Sequence, residues 1–267
     1  MTNPASPGFG RLTRIARFPV KGLSPQPLEA AELKPAQPIP GDRRFALAHG
    51  GSAFDPANPA WQKKAHFLNW ARNPKIAALH CVFDPGGTRI TVADLDPETS
   101  LGQLDDADLT TAAGRAALEA LVLEQMEDRD TRGKVSVAEA PGAWFTDVPD
   151  PFISIQNTAS LQDLGRHAGG DMFDWRRLRA NLLVDGFAPW AERGWVGKRL
   201  RIGGALLQVE EMIGRCVATH LDPDTAEKNL PVLDILQDSY GNTDCGVYAR
   251  VVEPGRITLG DRVEALG

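Results

Sequence analysis

The chain is poor in cysteine and in long apolar runs, and each shortage excludes something. Among 267 residues only Cys81, Cys216 and Cys245 are cysteines, none of them in a CxxC pair. So few thiols, in odd number, argue against a disulfide scaffold and suit a reducing compartment. No apolar stretch approaches the roughly 18 residues that cross a bilayer, and Met1 to Gly10 lacks the basic start and apolar core of a secretory signal. The sequence therefore predicts a cytoplasmic protein with no membrane partner, preceded by a short disordered lead-in at 1–10. An excess of positive charge is missing too. The net charge is −6 and the pI about 5.4, which argues against nucleic acid as a partner. No GxSxG elbow, P-loop or GxGxxG unit occurs, so serine hydrolase, NTPase and dinucleotide dehydrogenase readings lose their usual support.

Turn-forming residues are abundant: 26 glycines and 20 prolines are spread along the chain, as in folds built of short strands. Alternation predicts an opening strand over Leu12–Lys21 that ends with Lys21 on its polar side, and a second strand over Phe45–Ala48. A short helix is expected over Ala60–Arg72. Ala77–Phe83 and Thr88–Ala93 flank Asp84-Pro85-Gly86-Gly87, a hairpin signal. Ala113, Ala117, Leu121 and Met126, with Leu118 and Val122 beside them, fit a helix within 106–128 with one irregular step. The charged, turn-rich stretch 128–142 separates two halves. In the second half Ser160 is placed to cap a short helix, and Ala180–Val184 reads as a buried strand. Leu200–Ile202 and Ala205–Glu211 form a hairpin about Gly203-Gly204, and Gly246–Val252 and Arg256–Leu259 another about Pro254-Gly255.

Gly214-Arg215-Cys216 is the point of greatest chemical interest. A thiol leaving a strand there has three readings: a soft metal ligand, a nucleophile, or a small buried apolar residue. The Arg215 charge would favour a thiolate if its side chain turns toward the sulfur. Cys216, His220, Asp222 and Asp224 can be drawn as a zinc cluster, but no CxxC or HxxxH accompanies them. A cysteine nucleophile would need His220 or a distant histidine as base. The basic run Arg176-Arg177-Leu178-Arg179 is either an anion site or a solvated face.

Five segments in order resemble the MOSC superfamily: Phe18-Pro19-Val20-Lys21-Gly22, Gly41-Asp42-Arg43-Arg44-Phe45, Arg177-Leu178-Arg179-Ala180-Asn181, Gly214-Arg215-Cys216 and Gly260-Asp261-Arg262-Val263. The chain is thus similar to the C-terminal domain of molybdenum cofactor sulfurase and to amidoxime-reducing molybdoenzymes. The resemblance implies a β-rich α+β fold, with a smaller β-dominated, barrel-like domain at 11–130 and a MOSC β-barrel domain at 131–267. It also implies a molybdenum–pterin cofactor, with Cys216 as catalytic residue and thiolate ligand to molybdenum. Lys21, Arg43, Arg179, Asn181 and Arg215 would contact the cofactor, with Arg44 and Arg177 as alternatives to their neighbours, and Asp261 would cap a turn or meet the cofactor. Two departures from the amidoxime-reducing pattern are Gly22, where serine is common, and Ala180, where proline is common. The ferredoxin domain of some bacterial relatives has no counterpart in the sequence, so no iron–sulfur cluster is expected in this chain. Neither is pyridoxal phosphate, because the desulfurase domain of the sulfurases is missing. The expected activity is reduction of N-hydroxylated small molecules, with electrons from a separate flavoprotein, ferredoxin or cytochrome. A non-catalytic cofactor carrier and a cysteine-persulfide sulfur-transfer protein are the alternatives.

Overall fold

The computed structural model describes residues 9–93 and 103–267. In chain order the elements are β1 (Phe9–Arg17), β2 (Gln26–Leu28), β3 (Ala30–Leu33), β4 (Phe45–His49), β5 (His80–Phe83), β6 (Arg89–Ala93), β7 (Leu104–Asp108), α1 (Ala112–Gln125), α2 (Asp128–Thr131), β8 (Val135–Glu139), β9 (Ile153–Asn157), α3 (Thr158–His167), β10 (Leu182–Asp185), β11 (Arg199–Ile202), β12 (Ala205–Gly214), α4 (Val232–Tyr240), β13 (Asp244–Glu253), β14 (Gly255–Thr258) and β15 (Arg262–Leu266). The protein is a strand-rich α+β fold. Seven strands in the order β10-β9-β13-β12-β11-β15-β1 close into a barrel, because β1 pairs with β10 as well as with β15. Within the barrel the β9–β10 pair is parallel and the other pairs are antiparallel.

Alternation along the staves fills this barrel. Leu182 and Val184, Leu200 and Ile202, Leu207 and Val209, and Val247, Ala249 and Val251 point into one fully buried core, as period-two side-chain direction requires. A second layer forms outside it, where Leu161, Leu164, Val232 and Leu236 of α3 and α4 cover Leu183 and Cys245. A separate core gathers Phe45, Leu47, Trp70, Ile76, Ile90 and Leu118 around the β4–β8 pair and the β5-β6-β7 sheet, and it reaches across to Leu221. β1 pairs across the 130/131 line with β10 and β15, as well as with β2 on its own side, and β8 runs antiparallel to β4 across the same line.

Several sequence expectations change. Residues 1–8 of the expected lead-in lie outside the described residues, while Phe9 and Gly10 already belong to β1. The opening strand stops at Arg17, whose guanidinium is buried and donates to Gln26, the Pro40 carbonyl and the Pro85 carbonyl, so Lys21 sits in a turn beyond it. Ala60–Arg72 contains one 3-10 turn, Lys64–His66, instead of a helix. Asn69 explains part of this: its side-chain amide donates to the Lys64 and Phe67 carbonyls, competing with a helical ladder. Asn157, not Ser160, caps α3, and Ser160 is buried inside the helix with its hydroxyl on Glu192. β14 pairs with β3 instead of folding back on β13. The hairpins β5–β6 and β11–β12 and the helix α1, capped by Thr111, form where the sequence places them. Among the described residues no helix is long and apolar enough to cross a membrane.

Candidate functional site

The mouth of the barrel where β12 ends and β9, β10 and β13 begin opens onto a cavity of about 400 Å³. All six residues singled out in the sequence, Lys21, Arg43, Arg179, Asn181, Arg215 and Cys216, line it. They arrive from four stretches of chain, and local chemistry fixes each.

Two motifs interlock on one wall. The Phe18 N–H donates to the Asp42 carboxylate at 2.7 Å, the Arg43 N–H donates to the Phe18 carbonyl at 2.8 Å, and the Lys21 N–H to the Phe45 carbonyl at 2.8 Å. Both Arg43 and Arg179 adopt the left-handed region, with φ of 47° and 52°. That conformation costs a non-glycine residue about 1–2 kcal/mol, and here it stacks both guanidiniums on Phe18, each 4.2 Å from the ring centre. Gly22 follows Lys21 at φ 88°, and a Cβ there would stand 2.7 Å from Ile76 Cδ1. A serine side chain at this position would be strained.

The cations differ in what they already hold. Lys21 is 7% exposed, and its ammonium donates to Asp147 Oδ1 at 2.5 Å and to the Phe145 carbonyl at 2.9 Å. Burial lowers its pKa, and Asp147 opposes that shift. The surrounding protein acts to raise the Asp147 pKa, but the Lys21 charge and hydrogen bond, with Lys64 and Arg43 beyond, hold it well below the usual carboxylate range. Arg43 pairs with Asp42 and donates to the Arg179 carbonyl at 3.0 Å. Arg215 does not turn toward the Cys216 sulfur: it donates to the carbonyls of Cys245 and Leu178 and so fastens the β12 exit to the start of β13. Asn181 is 2% exposed, and its amide bridges β1, β9 and β10 by donating to the Ala16 carbonyl and accepting from the Ser154 N–H and hydroxyl. Arg179 is the exception. Its Nη1 and Nη2 are buried without a hydrogen-bond partner, and burial, reinforced by the Arg43 charge, lowers its pKa to about 9, leaving it charged at neutral pH.

The open alternatives are also resolved in space. Arg44 pairs with Glu139 away from the cavity. Arg177 reaches the cavity wall but spends its guanidinium on Asp222, Asn229 and the His220 carbonyl. Asp261 caps a turn, accepting from the Thr258 N–H at 2.7 Å. The drawn zinc cluster is dispersed, for His220 Nε2 accepts from the Leu233 N–H, Asp222 pairs with Arg177 and Asp224 with Arg176. Among the described residues no three His, Cys, Asp or Glu side chains converge on a metal position.

Cys216 is half-buried, whereas Cys81 and Cys245 are buried, with thiols pushed up to about 12 by desolvation. The Cys216 carbonyl accepts from the Thr219 N–H and hydroxyl, which turns the chain into the 3-10 segment Val217–His220 and leaves the sulfur facing the cavity. Lys64 Nζ stands 3.8 Å from that sulfur. Residues 143–264 match the MOSC domain family. They are a MOSC domain. Over 113 residues, 40% of its length, the chain is 37% identical to the molybdenum cofactor sulfurase of Caenorhabditis briggsae, and it spans 15% of the length of that curated relative. Among solved structures it is similar to the YUAD protein of Bacillus subtilis, at 13% identity over 96% of this chain and 95% of that one, with a TM-score of 0.45. It is also similar to YiiM of Geobacillus stearothermophilus, at 22% identity over 43% and 54%, with a TM-score of 0.34. The MOSC domain supplies Arg179, Arg215 and Cys216, while Lys21, Arg43 and Lys64 reach the cavity from outside it.

Sequence reasoning missed Lys64, Asp147 and Tyr248 on this wall. Lys64 carried no signal, because the segment read as helix. Gly246, two residues before Tyr248, has φ 80°, and an added Cβ would lie 2.7 Å from the Ile155 carbonyl and 2.1 Å from Gln156 Nε2. Gly246→Ala is expected to cost about 2–4 kcal/mol, from the left-handed penalty and overpacking together, read as a lowered urea midpoint. Because Cys245 anchors Arg215, the same change should loosen the β12 exit.

Proposed function

We propose that this protein binds a molybdenum–pterin cofactor in the cavity and reduces N-hydroxylated small molecules with electrons from a separate flavoprotein, ferredoxin or cytochrome. The observation that carries the reading is the pairing, in one cavity, of a half-buried thiol with an arginine whose terminal nitrogens are buried and unpartnered. Buried polar groups find partners in nearly every protein; of the cations that line this cavity, Arg179 is the one whose buried terminal nitrogens have no hydrogen-bond partner among the described residues, and its fork matches a phosphate. The donor set fits the group as well. A lone thiolate is too few ligands for an ion held by side chains alone, but it suits a soft metal whose other ligands are dithiolene sulfurs. A cavity of about 400 Å³ falls in the range of small-molecule sites.

In this reading Cys216 would hold the metal by its single soft donor, and Arg179, with Arg43 and Lys21 beside it, would hold the anionic end of the pterin. Bound there, the cofactor supplies two-electron oxygen-atom transfer. Phe18 and Trp70 press on the Arg179 guanidinium at 4.2 and 4.9 Å and keep water from it. The Lys21–Asp147 pair keeps a carboxylate beside the cations without neutralising Arg179. The overall conversion takes an amidoxime, two electrons and two protons to an amidine and water. The match to the MOSC domain family and the likeness to a molybdenum cofactor sulfurase support the cofactor part of this reading.

The test is metal and pterin analysis of protein purified from a cofactor-competent host, followed by incubation with benzamidoxime and an artificial reductant. About one molybdenum per chain and amidine formation are expected. Metal-free protein from such a host would count against the whole reading. Bound cofactor with no amidine would point to a carrier, and an added sulfur atom on Cys216 in the mass spectrum would point to persulfide transfer.

A further inference from the structure

We propose that Lys64 is a substrate-side residue of this site, selecting N-hydroxylated substrates that carry an anionic group within reach of the reacting N–O bond. The inference rests on the reading of Cys216 as the wall of the reaction site, and it adds the class of substrate.

The charge balance of the cavity gives the first argument. Lys21, Arg43, Lys64, Arg177, Arg179 and Arg215 line it, against the carboxylates of Asp147 and Glu211. Four of these cations are already committed: Lys21 to Asp147, Arg43 to Asp42, Arg177 to Asp222, and Arg215 to backbone carbonyls. Two are left. Arg179 is deep, with its terminal nitrogens buried. Lys64 is exposed at the rim, and its ammonium meets the Cys216 sulfur at 3.8 Å. They divide the cavity into an inner anion position and an outer one beside the sulfur.

The second argument is that Lys64 is held in place. The Lys64 carbonyl accepts from the Phe67 N–H and the Asn69 side chain, and buried Phe67 packs edge-on against Phe145 at 4.8 Å. The Phe145 N–H in turn donates to the Arg43 carbonyl at 2.9 Å. The chain that bears Lys64 is therefore tied to the wall that bears Arg43 and Asp147. Lysine acts as a compact point charge with no preferred plane, which suits a carboxylate approaching in varied orientations. A substrate anion seated on Lys64 would have its remaining atoms next to Cys216, on the wall of the proposed reaction site.

Two measurements test this, and the first needs no cofactor. Cys216 is the one half-buried cysteine, beside buried Cys81 and Cys245, so alkylation of metal-free protein can be followed at that residue by mass spectrometry. The ratio of iodoacetate to iodoacetamide rates cancels thiolate content and reports attraction of an anion to the sulfur. Lys64→Gln is expected to lower the ratio about fivefold, the upper range for an exposed ion pair, Lys64→Glu to lower it further, and Lys64→Arg to keep it. In loaded enzyme, Lys64→Gln should raise KM for 4-carboxybenzamidoxime about fivefold while leaving KM for benzamidoxime unchanged. An unchanged alkylation ratio in both Gln and Glu variants, or an equal KM rise for the two substrates, overturns the inference. Molybdenum content, measured on the same preparations, reports separately on the proposed cofactor.

Discussion

Cys216→Ala, purified from a cofactor-competent host, is expected to retain little or no molybdenum and to reduce benzamidoxime at less than a hundredth of the wild-type rate. A hundredfold loss corresponds to about 2.7 kcal/mol of barrier, a modest demand for removing the cysteine sulfur from the cavity wall. No other thiol can replace it, because Cys81 and Cys245 are buried and their pKa values are pushed up to about 12. The fold should not notice. The sulfur's one hydrogen-bond contact is with exposed Lys64, and the turn after it is held by the Cys216 carbonyl, which the substitution keeps. A half-exposed position of this kind usually changes stability by about 0.5 kcal/mol or less, so the melting curve serves as the control. Cys216→Ser sharpens the test: its oxygen is a harder donor in the same place, and it should retain more molybdenum than the alanine variant while still losing most of the rate. Full molybdenum content in the alanine variant would end the assignment of Cys216 as ligand.

The sequence made the cavity wall legible where a residue is committed by its own segment. Phe18-Pro19-Val20-Lys21-Gly22 and Gly41-Asp42-Arg43-Arg44-Phe45 read as two separate motifs, and they lie together because their backbones hydrogen-bond to each other. The barrel staves could be read from alternation in Leu200–Ile202 and in Gly246–Val252, since one face of each is buried. What could not be read was the use to which each polar group is put. Arg215 and Arg179 look alike in sequence, yet one saturates itself on carbonyls and the other keeps its terminal nitrogens without a hydrogen-bond partner among the described residues. Only long-range geometry separates them. Lys64 was invisible for another reason: Trp61, Ala65, Leu68 and Trp70 read as the apolar positions of a helix, while the Asn69 side-chain bonds and the burial of Phe67 and Trp70 accompany a mostly extended path. α4 is bounded by Pro231 and Gly241, the latter left-handed at φ 74°, a signal of start and stop that was present in the sequence.

Arg179→Met is expected to make the cofactor-free protein more stable and the cofactor-loaded protein less so. In the free protein, two guanidinium nitrogens are buried without a partner, Arg43 adds a like charge nearby, and such an uncompensated burial costs several kcal/mol before relaxation. Against this stand the contacts with Phe18 and Trp70, where a cation–π interaction contributes about 0.5–2 kcal/mol. Methionine keeps part of that contact through its sulfur, leaves the Arg179 carbonyl in place for Arg43, and meets the same left-handed backbone cost as arginine. The balance favours the variant by about 1–2 kcal/mol in the free state, read as a higher urea midpoint. Loading reverses the order. A ligand that binds only the native state adds stability as the logarithm of its concentration over Kd, and loss of a charge-assisted fork to a phosphate should weaken that binding about a hundredfold, or about 2.7 kcal/mol. Wild-type protein should therefore gain more from the cofactor than the variant does, and the two melting curves should cross between the free and loaded states. If Arg179→Met destabilises the free protein, the guanidinium has a structural partner after all, and its place as the anion anchor is lost. If the variant is stabilised but keeps its pterin undiminished, the anion is held by Lys21 and Arg43 instead, and opening of the Lys21–Asp147 pair becomes the step that admits it.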